Sequence, residues 1–503
     1  MHTGFSALDL AVLVLYVAAT SWLGAWLGRS QKDAKDYFLA DGALPWWAIC
    51  FSIVATETSA LTLISIPGLA YTTNWGFLQI ACGYLIGRVV VSAVLLPRYY
   101  AGELVTAYAF LEKRFGSTTR RFASVTFMVT RTFADSVRVF ATAIPLALIL
   151  GPAVPEGWGT PSAIMLLGAC TVMFTYWGGT KSVVWTDVVQ TSVYLVAGLA
   201  AVVLIGNGVE GGWSAILSRA GDADKLRIVD TQFVLGSANT LWAGLIGGAF
   251  LSMASHGADQ LIVQRLLAAG SLAKARRALI VSGFAVIFQF AFFLLIGTGL
   301  WAFYDARTFA SGDSVFPEFI VNAIPSGLKG LVVAAILAAS TIASSLNALA
   351  AATVHDIWLP LKGGRADDPA TLQIAKRFTL MWAAILIGGA FFYRQQGTPV
   401  VTIALGIASF TYGGLLGGFF LGLLWERARQ RDAIVGMSVA ICIMAVIVFR
   451  TLFLNWIPAL EPVLSAIPAI AWPWYVLIGS SITLVTGILF STLFPSRTQS
   501  PAR

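Results

Sequence analysis

Charge is the scarcest property of this chain: Asp, Glu, Lys and Arg supply 11% of its 503 residues, while hydrophobic types supply 58%. Soluble domains carry charge on about a quarter of their residues, so a water-facing globular fold is excluded. Histidine occurs three times and cysteine four times. Cys50, Cys82, Cys170 and Cys442 all fall inside apolar runs without metal-ligand spacing. They read as core thiols, not as a zinc site or a disulfide framework. Phosphate-binding loops and nucleophile elbows are also missing, because the glycine-rich string GGLLGGFF lacks their spacing. An enzyme is therefore not expected. The longest polar connection, near residues 207–240, is too short to fold alone.

Long apolar runs are abundant. Stretches able to cross a bilayer lie near residues 6–28, 43–72, 75–97, 122–150, 161–178, 183–206, 241–263, 278–303, 328–354, 375–393, 400–425, 433–453 and 470–493, thirteen in all. The opening MHTGFSALDL has no basic n-region or small-residue cleavage site, so the first run is expected to be a retained span. With the N-terminus outside and the C-terminus cytoplasmic, most Lys and Arg, Arg265 among them, fall in inner loops, as the positive-inside rule requires. Basic loops also account for the net charge of +8 without a nucleic-acid partner. The partners expected are the lipid bilayer and a small-molecule solute, with no obligate protein partner implied.

One integral unit is expected over 1–503. If the second to sixth runs and the seventh to eleventh runs form two groups, five spans per group make the second enter from the opposite side. That is an inverted repeat, dividing the chain into 1–42, 43–206, 241–425 and 426–503. The first helix of each group carries polar interruptions. PWWAICFSIVATETSALTLISIPG holds Thr56, Glu57, Thr58, Ser59 and Thr62; LWAGLIGGAFLSMASHGADQLIVQR holds Ser252, Ser255, His256 and Asp259 among Gly247, Gly248 and Gly257. Glycine and hydroxyl clusters lower the cost of leaving helical geometry. A third segment, from Gly327 to Trp358, buries Ser340, Thr341, Ser344, Ser345 and Asn347 in apolar surroundings. Arg88 lies mid-span, and Arg131, Asp135 and Arg138 share one helical face. Those three either form a closed network or leave an arginine over to hold a carboxylate in a bidentate grip. Two cations against one anion favours the second.

LPWWAICFSIVATETSA, LPRYYAGELVTAYAFLEKRFG, YWGGTKSVVWTDVVQ, HGADQLIVQRLLAAGSLAKARRA, the serine-rich helix and SFTYGGLLGGFFLGLLWERA occur in one order over about residues 29–430. Together they resemble the sodium:solute symporter family. The resemblance implies an all-α polytopic membrane protein with a LeuT-like core of two inverted five-helix repeats and about thirteen transmembrane helices. It also implies Na+ as coupling ion, held by the carbonyls of Ala55, Thr58 and Leu337 and the hydroxyls of Ser340 and Thr341. Some relatives use a second sodium site, which maps onto Asp187, Ser344 and Ser345; Ala343 lacks the hydroxyl expected there. Alternatively, Asp187 binds only backbone or Lys181.

Candidate substrate contacts are Thr56, Glu57, Thr62, Arg88, Arg131, Arg138, His256, Asp259 and Tyr412. Glu57 could accept sugar hydroxyls, neutralise an arginine or bind a proton. The expected activity is sodium-coupled import of a small polar solute across the inner membrane by alternating access. An organic anion comes first, because SSLNALAAATVHDI looks like the monocarboxylate, iodide and vitamin branch. A sugar or sialic acid comes next. A proton-coupled carrier using Glu57, Asp187 or His256 is the competing class.

Overall fold

The computed structural model describes residues 6–27, 33–40, 44–58, 60–102, 104–150, 154–339, 342–363, 365, 368–393 and 400–494, among which no residue lies in a strand. In chain order the principal helices are α1 (Ala7–Leu27), α2 (Trp46–Glu57), α3 (Ala60–Thr72), α4 (Leu78–Val90), α5 (Ser117–Leu150), α6 (Gly159–Gly208), α7 (Gly248–Met253), α8 (Gln260–Leu267), α9 (Leu272–Phe303), α10 (Leu328–Ala339), α11 (Ala343–Ala352), α12 (Pro369–Ala390), α13 (Val400–Leu424), α14 (Gln430–Val448) and α15 (Trp474–Leu493).

Among the described residues, eight helices are long and apolar enough to cross a membrane, and α2 with α3 is apolar and long enough as a pair bent by 58°. The other expected crossings, at 122–150, 161–178, 241–263 apart from Asp259, and 328–354 over its described residues apart from the turn before α11, are also helical. Each departs from an ideal span by being charged, short or broken. Those departures matter, because irregular backbone and charge survive at membrane depth only where protein or a cavity satisfies them.

The breaks fall where the glycine and hydroxyl clusters stand. Helix α2 stops because Thr58 leaves helical geometry, at φ −87° and ψ 80°. In the second group the chain passes through π turns at Ala243–Gly247 and Ala254–Ala258, then becomes extended at Asp259. Asp259 restarts the helix: its Oδ1 accepts the backbone N–H of Leu261 at 2.8 Å, an N-cap for α8. Helix α6 is broken at Gly179, where φ is +54° and ψ −162°, a conformation open to glycine because it lacks a Cβ. Gly83 lets α4 close on the π turn, since a Cβ there would lie 2.1 Å from the carbonyl oxygen of Gly244. Gly87 makes a similar close approach to the Ala249 carbonyl, and Arg88 beside it is fully buried.

Helix α1 is anchored by a residue that the sequence reading passed over. Asp9 Oδ1 accepts backbone N–H bonds from Gly327 at 2.7 Å and Gly330 at 2.8 Å, satisfying the N-terminus of α10. The extra N-terminal span is thus tied to the helix that carries Leu337. Arg265 requires a correction: it was expected in an inner loop, but it lies in α8 and is 3% exposed. The break at Asp259 shifts the following turn into the bundle.

Candidate functional site

A cavity of about 140 Å³ sits where the two broken segments meet α5 and α13. Thr56, Glu57, Thr62, Arg131, Arg138, His256 and Tyr412 line it, together with Ser255, noted in the sequence only as a polar interruption of its helix, and Phe77, Tyr84 and Phe290, which sequence reasoning missed. Arg88 and Asp259, also expected as contacts, do not line it; they stand behind the wall and hold residues that do. Periodicity placed the polar groups on their helices, but only the fold shows which aromatic rings close the space between them.

The polar wall is organised around ion pairs. Glu57 bonds Arg88, whose Nη1 also donates to Ser282 Oγ at 2.6 Å, and Glu57 Oε1 lies 3.3 Å from His256 Nε2. Of the three roles open to Glu57, neutralising an arginine is the one the geometry displays. His256 is held from its other side, with Nδ1 2.8 Å from Ser255 Oγ and 3.2 Å from the Ser252 carbonyl. Thr56 Oγ1 donates to the Ser52 carbonyl at 2.7 Å, and Thr62 Oγ1 donates to the Glu57 carbonyl at 3.2 Å across the break. Both hydroxyls keep lone pairs for a ligand.

The expectation of a surplus arginine on α5 is corrected for Arg131. Its Nε donates to Asp259 Oδ2 at 3.1 Å, its Nη2 bonds both Asp259 and the Tyr412 hydroxyl, and that hydroxyl donates to Asp259 in turn. The count of two cations to one anion fails because Asp259 arrives from the other repeat. Arg138 differs. Among the described residues its guanidinium meets only Asp135, at 3.7 Å, and makes no hydrogen bond.

Asp187 was expected either at a second sodium site or against backbone or Lys181. Its partners are Ser52 and Arg265 instead: Ser52 Oγ donates to Asp187 Oδ2 at 2.5 Å, and Arg265 Nη2 lies 3.4 Å from the same oxygen. Arg265 also bonds Ser344, Ser52 Oγ at 2.6 Å and the Leu261 carbonyl at 2.6 Å. A guanidinium therefore stands between two of the proposed second-site ligands. Ser345 Oγ, the third, is buried with no hydrogen-bond partner among the described residues. The sequence signal for Arg265 was its position beyond the break, in an otherwise apolar stretch that also carries Gln260 and Gln264.

Of the first sodium-site residues, Thr58 marks the end of α2 and its hydroxyl accepts a bond from Gln289, while Leu337 is buried in α10. Ala55 lies in the last turn of α2, where carbonyls lose their helical partners. Ser340 and Thr341 lie outside the described residues.

The sequence profile of the sodium:solute symporter family matches residues 37–440. This chain is a member of the sodium:solute symporter family. It is 30% identical over 461 residues to the sodium/sialic acid symporter SiaT of Proteus mirabilis, covering 87% of this chain and 88% of that one. It is 29% identical over 455 residues to the sodium/sialic acid symporter NanT of Aliivibrio fischeri, covering 87% of each. A solved structure described as the substrate-bound outward-open state of a Na+-coupled sialic acid symporter, with a novel Na+ site, superposes with a TM-score of 0.83 at 27% identity. That match covers 99% of this chain and 100% of that one. The symporter is thus a sodium-coupled transporter and not an enzyme, with the LeuT-like fold that the motifs implied.

In the symporter, the cavity adjoins a wider chamber of about 580 Å³ through Phe77 and Leu405, which line both. The chamber is walled by residues of the 236–239 and 471–475 connections. Leu261 lines the cavity and also a small pocket with Gln264, Arg265 and Ser344, beside the Asp187–Ser52–Arg265–Ser344 cluster and a second layer in which Gln264 Nε2 donates to the Phe38 carbonyl at 2.8 Å and to Thr180 Oγ1 at 3.1 Å.

Proposed function

We propose that this symporter imports a hydroxylated organic acid of the sialic acid class together with sodium. The observation that carries the reading is Arg138, a guanidinium lining the cavity without a hydrogen bond to any described residue. Its planar fork of donors suits a carboxylate. The hydroxyls of Thr56 and Thr62 on the facing wall suit a polyhydroxylated body. Two relatives named for sialic acid support that class over a simple monocarboxylate or a neutral sugar.

Sodium would be held by the carbonyls of Ala55, Thr58 and Leu337 and the hydroxyls of Ser340 and Thr341. Neutral oxygens of this kind can replace the water of a hard monovalent cation. Binding there joins the end of α2 to the segment after α10 and favours the conformation that accepts solute. Each ligand then raises the affinity for the other by the same factor. One sodium per cycle is the stoichiometry we favour, because Arg265 already supplies a positive charge between Asp187 and Ser344. With the N-terminus outside the inner membrane, the connections at 236–239 and 471–475 that wall the chamber would lie on the outer side, where solute enters.

Proteoliposome uptake of labelled sialic acid, monocarboxylates and sugars tests this, with an imposed sodium or proton gradient, in wild type and Ser340→Ala/Thr341→Ala. Sodium-driven accumulation of sialic acid that collapses in the double variant is expected. Uptake driven by a proton gradient alone would instead favour a proton carrier, for which the 3.3 Å approach of His256 to Glu57 supplies the groups.

A further inference from the structure

The cavity wall holds three arginines, Arg88, Arg131 and Arg138, and three carboxylates, Glu57, Asp135 and Asp259, counting the residues directly behind it. Four of these six are spoken for by direct hydrogen bonds, Arg88 with Glu57 and Arg131 with Asp259. Arg138 and Asp135 remain. Their contact is an electrostatic one at 3.7 Å, and Arg131 Nη1 lies 3.6 Å from the same Asp135 oxygen. Asp135 is 0% exposed, lines the cavity, and neither of its oxygens has a hydrogen-bond partner among the described residues.

A buried carboxylate has about four acceptor sites, and leaving them empty is costly, so such groups in folded proteins are almost always filled. Here the two cations neutralise the charge without filling the acceptors. The i, i+3 spacing of Asp135 and Arg138 puts both groups on one helical face, one offering acceptors and the other donors. A solute bearing only a carboxylate would satisfy Arg138 and bring like charge to Asp135. One bearing a carboxylate and a nearby hydroxyl or ammonium would satisfy both.

We propose that Asp135 is a specificity-determining residue that accepts a hydrogen bond from a hydroxyl or ammonium group next to the solute carboxylate held by Arg138. The inference rests on the carboxylate reading of the cavity and adds to it. The balanced charge of the wall selects hydroxy or amino acids over plain carboxylates, because the solute must bring a donor as well as an anion. Asp135 discriminates by the bond left unmade when the donor is absent, which is how polar sites reject analogues lacking a hydroxyl.

The test is competition in proteoliposomes under an imposed sodium gradient. Lactate and alanine carry a donor beside the carboxylate; propionate and 2-methoxypropionate carry none. All four compete against labelled sialic acid, with uptake of labelled lactate and glucose measured directly, in wild type, Asp135→Asn and Asp135→Glu. In wild type the donor-bearing acids are expected to compete about tenfold more strongly or better, the equivalent of one hydrogen bond to a charged group. In Asp135→Asn that preference falls to about twofold with the sodium dependence unchanged, and Asp135→Glu restores part of it. Equal competition by lactate and 2-methoxypropionate in wild type, or an undiminished preference in Asp135→Asn, overturns the role of Asp135 while leaving the carboxylate reading in place. Accumulation of glucose with no carboxylate competing overturns both. If neither variant folds, equal competition by lactate and 2-methoxypropionate in wild type still overturns the proposal.

Discussion

Replacing Asp259 by Asn tests whether the ion pair behind the cavity is what holds the two repeats together. The side chain is fully buried; one oxygen caps α8 and the other receives Arg131 and Tyr412. Asn keeps the cap oxygen and the shape but removes the charge, leaving Arg131 with the Tyr412 hydroxyl and a single carboxylate, Asp135, at 3.6 Å. Removing one partner of a buried pair costs about 3–5 kcal/mol, because the other charge stays desolvated. With an unfolding entropy of about 2.1 cal/mol/K per residue over 503 residues, each kcal/mol shifts the melting temperature by about 1 °C, so a fall of about 3–5 °C is expected. Asp259→Ala adds about 1 kcal/mol by also losing the cap. Arg131→Met combined with Asp259→Asn should recover at least half of the loss, since a pair removed together leaves no orphan charge. Intrinsic tryptophan fluorescence of the detergent-solubilised protein during heating measures all three. Unfolding of Asp259→Asn within about 1 °C of wild type, or a double variant less stable than the single, would refute the reasoning.

Other expectations follow from the same geometry. Glu57→Gln keeps an acceptor for Arg88, which is fully buried, but removes the charge that neutralises it; loss of uptake and of thermal stability is expected, partly recovered by Arg88→Gln in the same chain. If the Arg265 guanidinium takes the place of a second cation, wild-type uptake should rise with sodium at a Hill coefficient of about one, and Arg265→Ala should steepen the curve; a wild-type value of about two would contradict it. Phe77→Ala and Leu405→Ala widen the neck between chamber and cavity, so bulkier analogues of sialic acid should gain in uptake relative to sialic acid itself, whereas unchanged size selectivity would show that the neck lies elsewhere. Asp9→Ala removes the cap on α10 and should cost about 0.5–2 kcal/mol, read as a lowered melting temperature with sodium dependence retained.

Residue types and spacing made much of this molecule legible. The glycine and hydroxyl clusters at Thr56 to Thr62 and at Gly247 to Gly257 mark the helix breaks, because those residues lower the cost of leaving helical geometry wherever they occur. Seven of the nine suspected contacts line one cavity for the same reason: polar side chains in a membrane helix must face a polar interior. The misreadings concern partners. Arg131 belongs to Asp259, which lies 128 residues away, and Asp187 belongs to Ser52 and Arg265, 135 and 78 residues away. Helical periodicity sees only neighbours within a turn or two, so it paired Arg131 with Asp135 and left an arginine over.

By itself the sequence determined that the chain crosses a membrane repeatedly, where its helices break and which side chains have no place in lipid, since each follows from local composition and the cost of unsatisfied polar groups in hydrocarbon. Only the tertiary structure decided which charges cancel. Pairing depends on distances between helices far apart in sequence, and those distances leave Arg138 and Asp135 without hydrogen bonds to any described residue at the cavity wall while Arg88, Arg131 and Arg265 are held elsewhere.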